Sequence, residues 1–146
     1  MPFGILVIAF LACGKRSDPK ACPGFGTTNV PERAWAVLES GDDVFTFRDD
    51  GTIDTPRSMK QEKLHAMPAD VEKTKAALVA SKVYDLKGGC WVGKPIAAPT
   101  DEAYTHLWLV RDHAVGYEFG YANGREMPRE ISDADAALRK LVRAAK

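Results

Sequence analysis

Apolar and polar positions change their period several times along this chain, and each change predicts an element. The first apolar run covers residues 3–12 and is unbroken by charge; the first charged side chain is Lys15. Over residues 14–29 Lys, Ser, Asp, Pro and Gly dominate and the apolar positions lose any period, which predicts an extended tether with ordered structure beginning near Val30. Residues 34–40 fit a helix, with Pro31 ahead and Gly41 behind, or a strand. The tight Gly41-Asp42-Asp43 turn leading straight into alternating Val44-Phe45-Thr46-Phe47-Arg48 favours the strand. Asp50-Gly51 then separates that run from Thr52-Ile53-Asp54-Thr55. Asp-Gly between alternating runs marks a hairpin, because Gly tolerates the positive φ of a tight turn, and Phe45 and Phe47 share its core face.

Helical spacing takes over across residues 68–81, where Val71, Leu78 and Val79 make a stripe with Ala76 and Ala77 while Glu72, Lys73 and Lys75 face water. Residues 83–86 read as extended, and residues 87–102 as a long loop rich in Gly and Pro. Period two returns over residues 104–110, with Tyr104, His106, Trp108 and Val110 on one face and Leu107 and Leu109 on the other. The Arg111-Asp112-His113-Ala114 turn leads into residues 115–121, where Val115, Tyr117, Phe119 and Tyr121 oppose Gly116, Glu118 and Gly120. After an Asn123-Gly124 turn, Ser132 caps a terminal helix with Asp135 three residues on. Leu138, Leu141 and Val142 form its buried stripe, and Lys140, Arg143 and Lys146 complement its dipole. The order β-β-(β)-α-β-β-α predicts an α+β fold, a mostly antiparallel sheet of meander and hairpins with two helices packed on one face.

The leading run is too short to cross a hydrocarbon core of roughly 30 Å, which takes about 20 residues, and it has the length of a secretory signal h-region. Its end, Phe10-Leu11-Ala12-Cys13-Gly14, resembles the lipobox of bacterial lipoproteins; Phe10 stands where that family usually has Leu. The resemblance implies a signal peptide over 1–12, a diacylglycerol-bearing Cys13 at the mature N-terminus, and a lipidated tether over 13–29. Gly14 rather than Asp after the cysteine implies the outer membrane, with the domain facing the periplasm or the cell surface. Two acyl chains or more anchor stably where one does not. An ordinary cleaved secretion signal and a buried apolar strand are the alternatives. The Phe-x-Phe-x-x-Asp-Gly hairpin at 45–51, followed by a helix and a late hairpin, is similar to small uncharacterised domains of bacterial lipoproteins, a likeness that implies no activity.

Composition narrows the partners. Of 146 residues, removing twelve leaves 134, enough for one domain, placed at residues 30–146. Twenty basic residues balance twenty acidic ones, all beyond Ala12, so there is no basic footprint for nucleic acid or for anionic lipid. With Cys13 assigned to lipid, Cys22 and Cys90 remain, and an even remainder in an oxidising compartment suggests a disulfide; two unpaired thiols are the alternative.

Chemistry-bearing patterns are weak. His106 on a strand and His113 at a turn stand too far apart to share a metal without Asp101 or Asp112, and read as a half-buried sheet residue and an exposed turn residue. Asp49, Asp50, Gly51 and Asp54 imitate a calcium loop, but Arg57 occupies the place of its final Glu. Gly88-Gly89-Cys90-Trp91-Val92-Gly93-Lys94-Pro95 lacks the Gly-Lys-Ser/Thr of a phosphate loop, and no Gly-x-Ser-x-Gly elbow occurs. No cofactor and no metal is expected. The aromatic set Tyr104, Trp108, Tyr117, Phe119 and Tyr121 is either a core face or a partner surface, with the Gly116 and Gly120 face expected to stay partly open. These readings predict a lipid-anchored, non-enzymatic envelope module that binds another protein or a wall component through its sheet. One alternative is a small-ligand or inhibitor module using loop 87–102 with Trp91 and Lys94; another is a hydrolase-like enzyme using His106.

Overall fold

The computed structural model describes residues 16–17, 31–56, 58–91, 93, 96, 104–111, 114–122 and 124–146. Its strands are β1 (Arg16–Ser17), β2 (Ala34–Ser40), β3 (Asp43–Arg48), β4 (Thr52–Asp54), β5 (Lys63–His65), β6 (Gly89–Trp91), β7 (Tyr104–Arg111) and β8 (Ala114–Ala122). Its helices are α1 (Pro68–Ala80) and α2 (Arg129–Ala144), with a single 3-10 turn at Val83–Asp85. The strands form one sheet in the order β1-β6-β8-β7-β2-β3-β4-β5, antiparallel except for the parallel pair β6–β8. The fold is α+β, with α1 and α2 packed over one face.

The hairpin at 43–54 forms as its alternation predicts. Gly51 carries it at φ +85°, Thr52 N–H donates to Asp50 Oδ1 at 2.9 Å, and Gly51 C=O accepts from Ala66 N–H at 2.9 Å. The Thr52 bonds hold the Asp50 carboxyl below its ordinary range, since they favour the charged form. Residues 34–40 are a strand, in register with both β3 and β7 through Leu38↔Phe45 and Leu38↔Leu107. The main core lies between sheet and helices, with Leu38, Phe47, Ile53, Leu107, Leu109 and Phe119 from the strands meeting Val71, Leu78, Ile131, Leu138 and Leu141 from the helices.

Several expectations are corrected. Regular structure, expected to begin near Val30, already occurs in the tether stretch as β1, whose Arg16 and Ser17 pair with Trp91 and Cys90. The loop expected over 87–102 contains β6; a three-residue strand carries no periodic signal, and it is held by pairing with β8 that is distant in sequence. β5 is equally short, and Lys146 extends its outer edge by exchanging hydrogen bonds with the His65 backbone at 2.8 and 3.2 Å. Residues 83–85 are a 3-10 turn rather than extended, entered through Lys82 at φ +63°.

The helix stripes also shift. In α1, Val79 is 63% exposed and Thr74 takes its expected place in the core beside Val71 and Leu78. Thr74 is accommodated because its hydroxyl donates to Asp70 C=O at 2.8 Å. α2 starts at Arg129 behind Pro128, so Ser132 sits inside the helix and caps nothing. Its buried positions, Ile131, Ala134, Leu138 and Leu141, run at the spacing of one helical face, with Glu130 in the first turn and Arg143 in the last.

Candidate functional site

Strand register decides what the aromatic residues can do. In the β7–β8 hairpin Leu107 pairs with Phe119, Leu109 with Tyr117 and Thr105 with Tyr121, so these side chains share the face under the helices. Tyr117 stacks on Phe119 at 6.3 Å between centroids, and Tyr84 meets Tyr117 edge-on at 5.5 Å. Phe119 and Tyr121 are buried and Tyr117 packs against the same core. Trp108 pairs with Glu118 and Tyr104 with Ala122, on the opposite face. The five aromatics therefore form no common surface, and those of β8 are core.

The opposite face is not open either. Ala34, Val37 and Trp108 form a second buried cluster there, 6%, 2% and 3% exposed, and Cys90 is fully buried. The Trp108 Nε1–H is buried with no acceptor among the described residues, as is that of Trp91. His106 lies beside Trp108, 4% exposed, with the rings edge-on at 5.4 Å. Glu39 pairs with His106 across β2–β7, yet among the described residues its imidazole makes no hydrogen bond or ion pair with a carboxylate, and no group of three or more His, Cys, Asp or Glu could hold a metal ion. His113, Asp101 and Asp112, which a histidine site would need, lie outside the described residues.

Of the loop at and beyond β6, the described residues Trp91 and Gly93 have partners. Trp91 packs partly buried against the main core, and Gly93 C=O accepts from Arg125 Nη1 at 3.1 Å. Lys94 lies outside the described residues, as do Cys13, Cys22 and the segments 1–12 and 18–30. Cys90 is disulfide-bonded, and its partner lies outside the described residues too.

Sequence reasoning missed two arrangements. One is a polar tie between sheet and helix: Tyr121 Oη donates to Asp135 Oδ1 at 2.7 Å, and Arg139 Nε donates to Asp135 Oδ2 at 2.8 Å. The i,i+4 spacing of Asp135 and Arg139 is the one signal for it in the chain. The other is a shallow groove of about 110 Å³ between the helices, lined by Asp70, Lys73, Ala77, Ala137, Lys140 and Ala144 among others. Small residues at 77, 137 and 144 leave its floor open, and no local pattern announces such a pairing of two distant helices.

No described helix is long and apolar enough to cross a membrane. Compared with known proteins, the chain matches no family model, no curated protein and no solved structure.

Proposed function

We propose that this chain is a lipid-anchored protein of the cell envelope whose single globular domain acts as a non-enzymatic binding module for an envelope protein or a wall component. The observation that carries the reading is the charge-free apolar run 3–12 ending in Leu11-Ala12-Cys13-Gly14. Its length suits a signal sequence and is too short for a span. On this reading Cys13 bears the acyl chains, and Gly14 directs the protein to the outer membrane, facing the periplasm or the cell surface. A neutral chain supplies no polybasic attraction, so the acyl chains alone hold it to lipid.

A buried, disulfide-bonded Cys90 suits an oxidising compartment. With Cys13 acylated, Cys22 is its partner. Much of each sheet face is buried, and the groove between α1 and α2, lined among others by Lys73, Lys140 and Asp70, is the place on the helix side that would suit a partner. His106 is sealed in the sheet, and among the described residues it makes no hydrogen bond or ion pair with a carboxylate, not even with Glu39 across the β2–β7 pair, so the hydrolase reading gains no support.

Metabolic labelling with a palmitate analogue tests the anchor. The wild-type chain takes up label and fractionates with membranes, and Cys13→Ala abolishes both while leaving the domain folded. Label-free wild-type protein in the soluble fraction would overturn the proposal.

A further inference from the structure

Two lysines stand over the groove between the helices with their charges unanswered. Lys73 of α1 and Lys140 of α2 both line it, and among the described residues neither ammonium group has an ion-pair or hydrogen-bond partner. Asp70, one turn before Lys73 and lining the same groove, is not paired with it either. The other helix cations differ. Lys75 lies 3.7 Å from Asp49, 3.8 Å from Glu72 and 5.4 Å from the centre of the Trp35 ring. Arg129 and Arg139 pair with Asp133 and Asp135.

The groove has a direction. His65 and Lys146 exchange backbone hydrogen bonds, which sets the start of α1 beside the end of α2. The helices therefore run antiparallel, Asp70 lies opposite Ala144 and Ala77 opposite Ala137, and the two lysines stand on opposite walls near the middle. Residues 70–77 and 137–144 amount to about two turns of each helix. Between the walls lie Leu141 and Thr74, whose hydroxyl is spent on the Asp70 carbonyl, so the polar chemistry of the groove rests with its charged side chains.

Three occupants compete for such a place. A second copy of the chain would set these two ammonium groups against the same two of its partner, because a two-fold contact joins like surfaces, and like charges oppose that. A sugar chain would press its hydroxyls onto an alanine floor that offers them no hydrogen bonds. A helix suits both features. Alanines let its axis approach to about 8 Å, the short end of ordinary helix packing, and an acidic side chain at its middle meets Lys73 and Lys140 together.

We infer that the α1–α2 groove receives an amphipathic helix of a partner protein, its small apolar face on Ala77, Ala137 and Ala144 and a carboxylate between Lys73 and Lys140. The inference rests on the reading of the domain as a binding module and adds the kind of partner. It does not require an acyl group on Cys13.

Photo-crosslinking of the full chain in its own envelope tests it. A benzophenone side chain in place of Ala77 or of Ala144, both exposed along the groove, is expected to join the chain to a protein segment with helical apolar spacing and a central carboxylate. In place of Val79, exposed on α1 outside the groove, it should give no such adduct. Lys73→Glu combined with Lys140→Glu should reduce the adduct roughly tenfold, and replacing the segment's carboxylate by lysine should restore it. An adduct indifferent to the double reversal, one that the partner's lysine does not restore, or no adduct at either position would overturn the inference. An adduct to wall glycan would also overturn it while leaving the binding-module reading standing. The two groove positions are independent, so one variant that fails to fold leaves the other to decide. Palmitate labelling of the same cells reads the anchor separately.

Discussion

The phenolic oxygen of Tyr121 on β8 lies 2.7 Å from Asp135 Oδ1 on α2, and the same carboxylate takes Arg139 Nε at 2.8 Å. This tie joins α2 to β8 of the β7–β8 hairpin. Burial is the first cause that pushes the Tyr121 hydroxyl far above its ordinary value of 10.0, followed by the Asp135 charge and hydrogen bond.

A pH dependence follows. Tyr121 keeps its proton in the folded state where the unfolded chain loses it, so above the unfolded value the native state binds more protons than the unfolded one. Stability is unaffected by this group below about pH 10 and falls above it, by about 1.4 kcal/mol per pH unit. Urea midpoints measured from pH 8 to 11 should drop in wild type above pH 10, and the drop should be shallower in Tyr121→Phe. That variant should also lose roughly 1–3 kcal/mol at neutral pH, since it leaves a partly buried carboxylate short of a donor.

Leu138 and Val79 make a contrasting pair. Leu138 is fully buried between α2 and the sheet, whereas Val79, which the helical stripe placed in the core, stands in solvent. Leu138→Ala is expected to cost about 2–5 kcal/mol. Val79→Ala should stay within about 0.5 kcal/mol of wild type. Chemical denaturation of the two variants checks both values.

Two glycines hold positions that a methyl group cannot share. A Cβ on Gly116 would lie 1.3 Å from Leu109 C=O at the irregularity between β7 and β8, and Gly116→Ala should cost roughly 3 kcal/mol or more. Gly51 combines φ +85° with an approach of 2.8 Å to Ala66 C=O, and Gly51→Ala should cost about 1–2 kcal/mol from its backbone conformation alone. Gly41, with a positive φ and open space around it, should respond more mildly than either.

The Cys90 disulfide is expected to matter for stability. A bond to Cys22 closes a loop of about 69 residues, worth on the order of 4 kcal/mol in the chain-entropy account. Reduction with a phosphine, or Cys22→Ser, should lower the urea midpoint accordingly. Cys13→Ser should leave it unchanged.

How much was legible in the sequence depended on element length. The Phe45–Ile53 hairpin, both helices and the β7–β8 pair announce themselves because each contains enough positions to establish a period. β1, β5 and β6, of two or three residues, exist only through partners far along the chain, and no local pattern marks them. For a related reason the sequence left the aromatic set open between a core face and a partner surface. Alternation within a strand correctly separated Tyr117 and Phe119 from Glu118, but whether Trp108 joins them depends on register, and the Trp108↔Glu118 pairing puts it on the far side. Thr74 and Val79 exchanged places because local hydrophobicity cannot show that a threonine will satisfy its hydroxyl against the preceding turn.

The claim on which the functional account depends concerns a single atom, the sulfur of Cys13. Intact mass and N-terminal peptide mass of the mature protein, extracted from membranes, test it most directly. The account predicts a chain beginning at Cys13 and heavier than its amino-acid sequence by a diacylglycerol group, with the first twelve residues gone. A mature chain that retains residues 1–12, or that begins elsewhere with an unmodified Cys13, would contradict it.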